Sequence, residues 1–305
     1  MKRRLLVVLL LLAAFGRAPV CNAQLLRPRD VDKLPSTPAD KRASYGADPQ
    51  QFGDLRLPAG AGRHPVAVVI HGGCWLSPFA DVRNTAALSS ALTAAGVATW
   101  NIEYRRVDNP GGGWPGTFQD VSSAVDYLRR LARTYPLDLK RVVIVGHSAG
   151  GHLALWAAGR GRLPKGSPLY TPDPLKARGV VNLGGPGNLR SILPAQEQVC
   201  GAKPITRLLG GTPEEVPDRY KVASPSEMLP LKVEQVLITG AQDRAVPPKY
   251  GQEYEAEARR SGDKVRMVVV ENAGHFEVIA PGTAAWPTVE EAVKTLLKMK
   301  PIGKR

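Results

Sequence analysis

Aromatic residues make up only 6% of this 305-residue chain, and cysteine occurs three times. So few cysteines exclude a disulfide-stapled miniature fold. None of them stands in a Cys/His cluster with zinc-ligand spacing, so no structural metal is expected. The formal charge is +14, yet no run of basic residues is interleaved with aromatics. A nucleic-acid partner is therefore not expected. No internal repeat is visible, which leaves a single domain. The apolar run Leu5–Phe15 has eleven residues, too few for a permanent membrane anchor.

That run has a different meaning. Lys2, Arg3 and Arg4 precede it, and small residues stand around Cys21-Asn22-Ala23. This is the pattern of a secretory leader, residues 1–23, cleaved near Ala23. The expectation is an exported protein, periplasmic or secreted. Cys21 could instead mark a lipoprotein, but Ala18-Pro19-Val20 is a poor lipidation box. Loss of Lys2, Arg3, Arg4 and Arg17 would lower the charge from +14 to +10. Cys74 and Cys200 would then remain, an even pair that in an oxidising compartment invites a disulfide. Two buried free thiols would read identically.

Residues 24–43 are polar and dotted with prolines, and read as an extended leader into the fold. Residues 44–300 form the domain. Phe52–Pro58 alternates like a strand, and Pro65–Ile70, Val97–Ile102, Val142–Val145, Val180–Leu183, Val236–Thr239 and Val265–Val270 are short apolar runs. Such runs suit strands covered on both faces. Helical patterns separate them at Thr85–Ala95, Phe118–Tyr135, Tyr250–Arg260 and Thr288–Lys298. Strands alternating with helices predict an α/β class, with a mainly parallel sheet and helices on both faces. Residues 186–231 hold seven prolines and little periodicity, and read as a small cap insertion.

The chemistry lies at strand ends, where open α/β sheets bind ligands. Gly146-His147-Ser148-Ala149-Gly150 stands between a strand and the helix-forming Leu153–Ala158. A G-x-S-x-G turn there is the signature of a nucleophilic serine, Ser148, lifted clear of the sheet. Serine carries negligible alkoxide at neutral pH and needs a base, which needs an acid to orient it. His275, after the last strand, and Asp243, after the one before, fit those roles. Each has a competing reading, Asp243 as a turn residue before Val246-Pro247-Pro248 and His275 as a surface histidine. Glu271 and Glu277 are reserve acids. His71-Gly72-Gly73-Cys74-Trp75 follows the first core strand, and its glycines let amides approach a developing oxyanion. Gly73 or Cys74 and Ala149 are the expected donors. Trp75 either walls an acyl pocket or packs its loop, and Trp75, Tyr104 and Trp114 are placed near the mouth.

With HGGCW and GHSAGG in view, the chain resembles α/β-hydrolase fold esterases with an HGGxW motif. That branch holds kynurenine-formamidase-like and bacterial feruloyl or acetyl-xylan esterase-like proteins. The resemblance covers about residues 45–298, with Tyr45–Gln50, Glu103-Tyr104-Arg105, Phe118–Val121 and Ala223-Ser224-Pro225 as further pieces. It implies Ser148, Asp243 and His275 as the triad, and Gly72, Gly73 and Ala149 around the oxyanion hole. Cys74 stands where lipase-type relatives carry a third glycine. The implied activity is hydrolysis of small to medium acyl esters, of a small molecule or a polysaccharide, without cofactor. An aryl-formamide hydrolase and an inactive binding module are the alternatives. Acyl identity and oligomeric state are not legible.

Overall fold

The computed structural model describes residues 25–299. The expected secretory leader, residues 1–23, lies outside them. Eight strands form one sheet: β1 (Lys41–Ser44), β2 (Phe52–Arg56), β3 (His64–Ile70), β4 (Ala98–Ile102), β5 (Leu137–His147), β6 (Gly179–Leu183), β7 (Glu234–Gly240) and β8 (Val265–Val270). Their order is β1-β2-β4-β3-β5-β6-β7-β8. β1 and β2 run antiparallel at one edge, and the pairs from β4 to β8 are parallel. The mainly parallel α/β sheet expected from the sequence is what forms, because β3 through β7 carry apolar residues on both faces.

Alternation along each strand divides the core in two. Val66, Val68 and Ile70 of β3 face a layer built by α3 (Gly116–Asp126), α5 (Ala149–Gly159) and α9 (Pro248–Arg260). Ala67 and Val69 face the opposite layer, with Leu88 and Leu92 of α2 (Ala86–Ala94) and Val289 and Val293 of α10 (Trp286–Leu296). Each β3 apolar side chain is fully buried, worth about 1.5–3 kcal/mol apiece for the larger ones.

Two local expectations are corrected and a third gains detail. Residues 24–43 are not simply extended: the chain forms α1 (Pro28–Val31), whose Val31 is buried in the second core layer, and then β1 on the sheet edge. Phe118–Tyr135 is not one helix but α3, beginning at Gly116, and the single turn α4 (Leu128–Leu131). Between them an i→i+3 bond from Arg130 N–H to Tyr127 O tightens the turn. The proline-rich stretch 186–231 is helical in part: α6 (Leu193–Cys200), α7 (Pro204–Leu209) and α8 (Pro217–Ala223), each with proline in its first two positions, where a missing N–H costs nothing.

Candidate active site

Ser148 stands between β5 and α5 at φ 53°, a left-handed conformation that costs a non-glycine residue of order 1–3 kcal/mol. The glycines around it are sterically required. A Cβ on Gly146 would lie 2.0 Å from the carbonyl oxygen of Gly150, and one on Gly150 would lie 2.3 Å from the carbonyl oxygens of Ile70 and His71. Ser148 N–H donates to Leu183 O at 2.9 Å, fixing the turn to β6. Ala149 is the first residue of α5, so its N–H has no carbonyl partner within the helix.

Asp243 and His275 meet on the loops after β7 and β8. His275 Nδ1–H donates to Asp243 Oδ2 at 2.7 Å. The other carboxylate oxygen, Oδ1, accepts from Ala245 N–H at 2.9 Å and Val246 N–H at 2.8 Å, so the buried carboxylate is held on both sides. With Nδ1 committed to Asp243, Nε2 is the nitrogen left to His275 for other partners. Gly184, at φ 60°, passes so close behind this pair that a Cβ would sit 3.1 Å from Asp243 Oδ2.

The loop after β3 carries three successive residues at positive φ: Gly73 (98°), Cys74 (55°) and Trp75 (55°). It is braced from below by a buried polar cluster. His71 Nδ1 contacts Gly72 O and its Nε2 contacts Glu103 Oε1, each at 2.9 Å. Glu103 also accepts from Val82 N–H and Tyr104 N–H at 3.0 Å and pairs with Arg106 at 3.1 Å. Burial opposes ionisation of Glu103, but His71, Arg106 and the Tyr104 amide outweigh it and hold its pKa below the usual carboxylate range. Tyr104 stacks on His71 with ring centroids 4.5 Å apart and donates its hydroxyl to His71 O at 3.0 Å. Among the described residues, no backbone carbonyl takes the N–H of Gly73 or Cys74.

Gly73, Cys74, Ser148 and His275 line one cleft of about 200 Å³. Gly72 stands behind it, where a Cβ would lie 3.0 Å from Ser148 Cβ. Cys74 is bonded to Cys200 at the end of α6, with Cα atoms 6.0 Å apart, so the cap is tied to the loop beside the serine. Among the described residues no group of His, Cys, Asp and Glu is arranged to hold a metal ion.

Residues 54–257, more than half of the chain, match the model of the BD-FAE family. The chain belongs to that family. Esterase LipC of Mycobacterium tuberculosis is 32% identical over 141 residues, covering 46% of this chain and 32% of that protein. A probable isoprenylcysteine alpha-carbonyl methylesterase of Oryza sativa subsp. japonica is 22% identical over 242 residues, 77% of this chain and 57% of that one. The chain thus spans only 32% and 57% of the lengths of these two curated relatives. Among solved structures, a truncated carbohydrate esterase from gut microbiota superposes with TM-score 0.72 at 23% identity, covering 86% of this chain and 99% of its own. Esterase B of Lactobacillus rhamnosis superposes with TM-score 0.73 at 21% identity, covering 87% and 89%. These likenesses establish the α/β-hydrolase fold.

In this BD-FAE member the three aromatic residues expected near the mouth lie elsewhere. Trp75 is fully buried and packs edge-on against His152 at 5.4 Å, and Tyr104 is buried beneath the loop, as described. Trp114 packs on Phe118 at 5.8 Å. The cleft wall comes instead from Pro28, Phe79, Val199 and Phe276. Phe79 and Val199 are 43% and 42% exposed. His147, the residue before Ser148, also lines the cleft, and its Nε2–H donates to the carbonyl of His275 at 2.9 Å. Burial, then the neighbouring His275, holds its pKa well below the usual histidine value, so it stays neutral. Phe276 and His147 had a signal in the sequence, their adjacency to His275 and Ser148. The others converge from remote segments.

Proposed function

We propose that this chain is a carboxylic ester hydrolase acting through a covalent acyl-serine on Ser148. The observation that carries the reading is His275, paired with Asp243 at 2.7 Å, lining the same cleft as a serine held in a strained turn. Family membership and the esterase names of its relatives support it.

In this mechanism Ser148 Oγ forms a bond to the ester carbonyl carbon while its proton passes to His275 Nε2. The carbonyl π pair moves to oxygen. That oxyanion is received by Ala149 N–H and by the N–H of Gly73 or Cys74, each donor worth about 3 kcal/mol of barrier. Collapse expels the alcohol, which takes the proton from His275. Water then repeats the sequence on the acyl-enzyme and releases the acid. Asp243 fixes the imidazole tautomer and stabilises the imidazolium. No cofactor enters.

A cleft of about 200 Å³ walled by apolar side chains suits a short or medium acyl ester better than a long lipid chain. Export after cleavage near Ala23 belongs to the same proposal, supported by the leader sequence and by a disulfide that suits an oxidising compartment. The test is a ladder of p-nitrophenyl esters, acetate to palmitate, on protein beginning at Gln24, with Ser148→Ala alongside. Turnover of the short esters, falling by about 10⁴-fold or more in the variant, is expected. A folded protein that turns over no ester defeats the reading, and N-formylkynurenine is then the substrate to try.

A further inference from the structure

Glu277 is a buried carboxylate two residues beyond His275 that the mechanism does not use. Its Oε2 accepts from Gly274 N–H at 2.8 Å, inside the loop that carries His275. Its Oε1 accepts from Leu26 N–H, 251 residues away near the start of the described chain. The segment around Leu26 is seated by more than this bond. Leu25 packs so close to Gly274 that a Cβ there would lie 3.1 Å from Leu25 Cδ1. Val31 is 1% exposed and shares a core layer with Ala273, Val278 and Ile279. Between these anchors, Pro28 reaches the cleft beside Phe79 and Phe276.

We propose that Glu277 is a positioning residue which locks the segment Leu25–Val31 to the His275 loop, making that segment a working wall of the active site. The inference rests on the esterase reading for its kinetic consequence. One carboxylate serves two amides on segments that have no covalent reason to be adjacent, so docking of the segment and placement of the histidine loop are coupled. Loss of either amide frees the loop by a fraction of an ångström. A misplacement of about 1 Å can cost about 10²-fold in rate, and a smaller one correspondingly less. Pro28 rides on the same segment, so loosening it also widens the cleft on its apolar side.

The test compares the parent with Glu277→Gln, which presents an NH₂ where one amide must be accepted. Leu26→Pro is the second variant, since it removes the donor N–H from the far end of the bridge. Steady-state kinetics on p-nitrophenyl acetate and octanoate are paired with hydrogen exchange of peptides spanning 25–31 and 272–277. Either variant is expected to lower kcat for acetate by about 10-fold or more with KM changed far less. Both peptides should lose protection together, and the octanoate-to-acetate rate ratio should rise. The double variant should be little worse than Glu277→Gln alone, because both break one bridge. Unchanged kcat and unchanged protection of 272–277 in Leu26→Pro overturns the proposal, as do multiplicative effects in the double variant. Should Glu277→Gln fail to fold, Leu26→Pro decides by itself. A parent that hydrolyses no ester would defeat the functional reading, and the exchange measurements would still decide the coupling.

Discussion

The Asp243 carboxylate accepts from three N–H donors, one from His275 and two from the amides of Ala245 and Val246. Asp243→Asn can keep its oxygen on the two amides, so the loop should survive. Its NH₂ would then face His275 Nδ1 and hold the tautomer that cannot accept a proton from Ser148. In the mechanism proposed above, kcat should fall by about 10⁴-fold with little change in melting temperature. A variant within about tenfold of the parent would return Asp243 to the role of a turn residue. Ser148, Asp243 and His275 could be read from the sequence because each directly follows an apolar strand, and strand ends converge. Tyr104 was misplaced, and the choice between the two readings of Trp75 stayed open, because composition does not say which way a loop side chain turns. Here Trp75 turns inward to His152, and Tyr104 turns under His71.

At the scale of elements, α5 ties the sheet to the cap. His152 Nε2–H donates to Ala223 O at 2.9 Å, and Trp156 Nε1–H donates to Val222 O at 3.0 Å, both at the end of α8. Burial lowers the His152 pKa from 6.5 to about 4. Between those values the unfolded chain takes up a proton that the folded one refuses, so stability falls as pH drops through that window and levels off below it. The loss is on the order of 3 kcal/mol for this group, and neutral, buried His147 adds to it with the same sign. Melting temperature should therefore fall steadily from pH 6.5 to 4, more shallowly in His152→Gln, which can still donate to Ala223 without titrating. Equal slopes would show that His152 is not the group responsible. The central strands were legible for the same reason they are stable, apolar residues on both faces. β1 was not, since Lys41–Ser44 pairs with one neighbour at an exposed edge and shows no apolar pattern. Nor was α1, which buries one side chain, Val31. The cap helices are too short to show a sustained helical pattern, although α7 buries Ile205, Leu208 and Leu209 against the core.

At the scale of the whole molecule, one covalent link and the packing beneath it decide whether cap and sheet unfold together. The Cys74–Cys200 bond closes a loop across 126 residues, and this span takes in β4 through β6, the elbow and the first part of the cap through α6. Closing a loop of that size restricts the unfolded chain by up to about 4–5 kcal/mol in the chain-entropy model, with 2–4 kcal/mol typical in practice. Replacing both cysteines by serine, which avoids a stray thiol, should lower the melting temperature by roughly 5–15 °C for a domain of this size. Reductant should do the same to the parent and nothing to the variant. The cap has other attachments, the two hydrogen bonds from α5 and buried Ile205, Leu208 and Tyr220 in the same core layer as α3. If those alone held it, parent and variant would melt together. A single transition that moves down as a unit would mean that cap and sheet form one cooperative structure whose unfolded state the disulfide restrains. A new early transition in the variant would mean instead that the bond restrains the cap itself, and the cleft wall at Val199 would then be lost before the sheet.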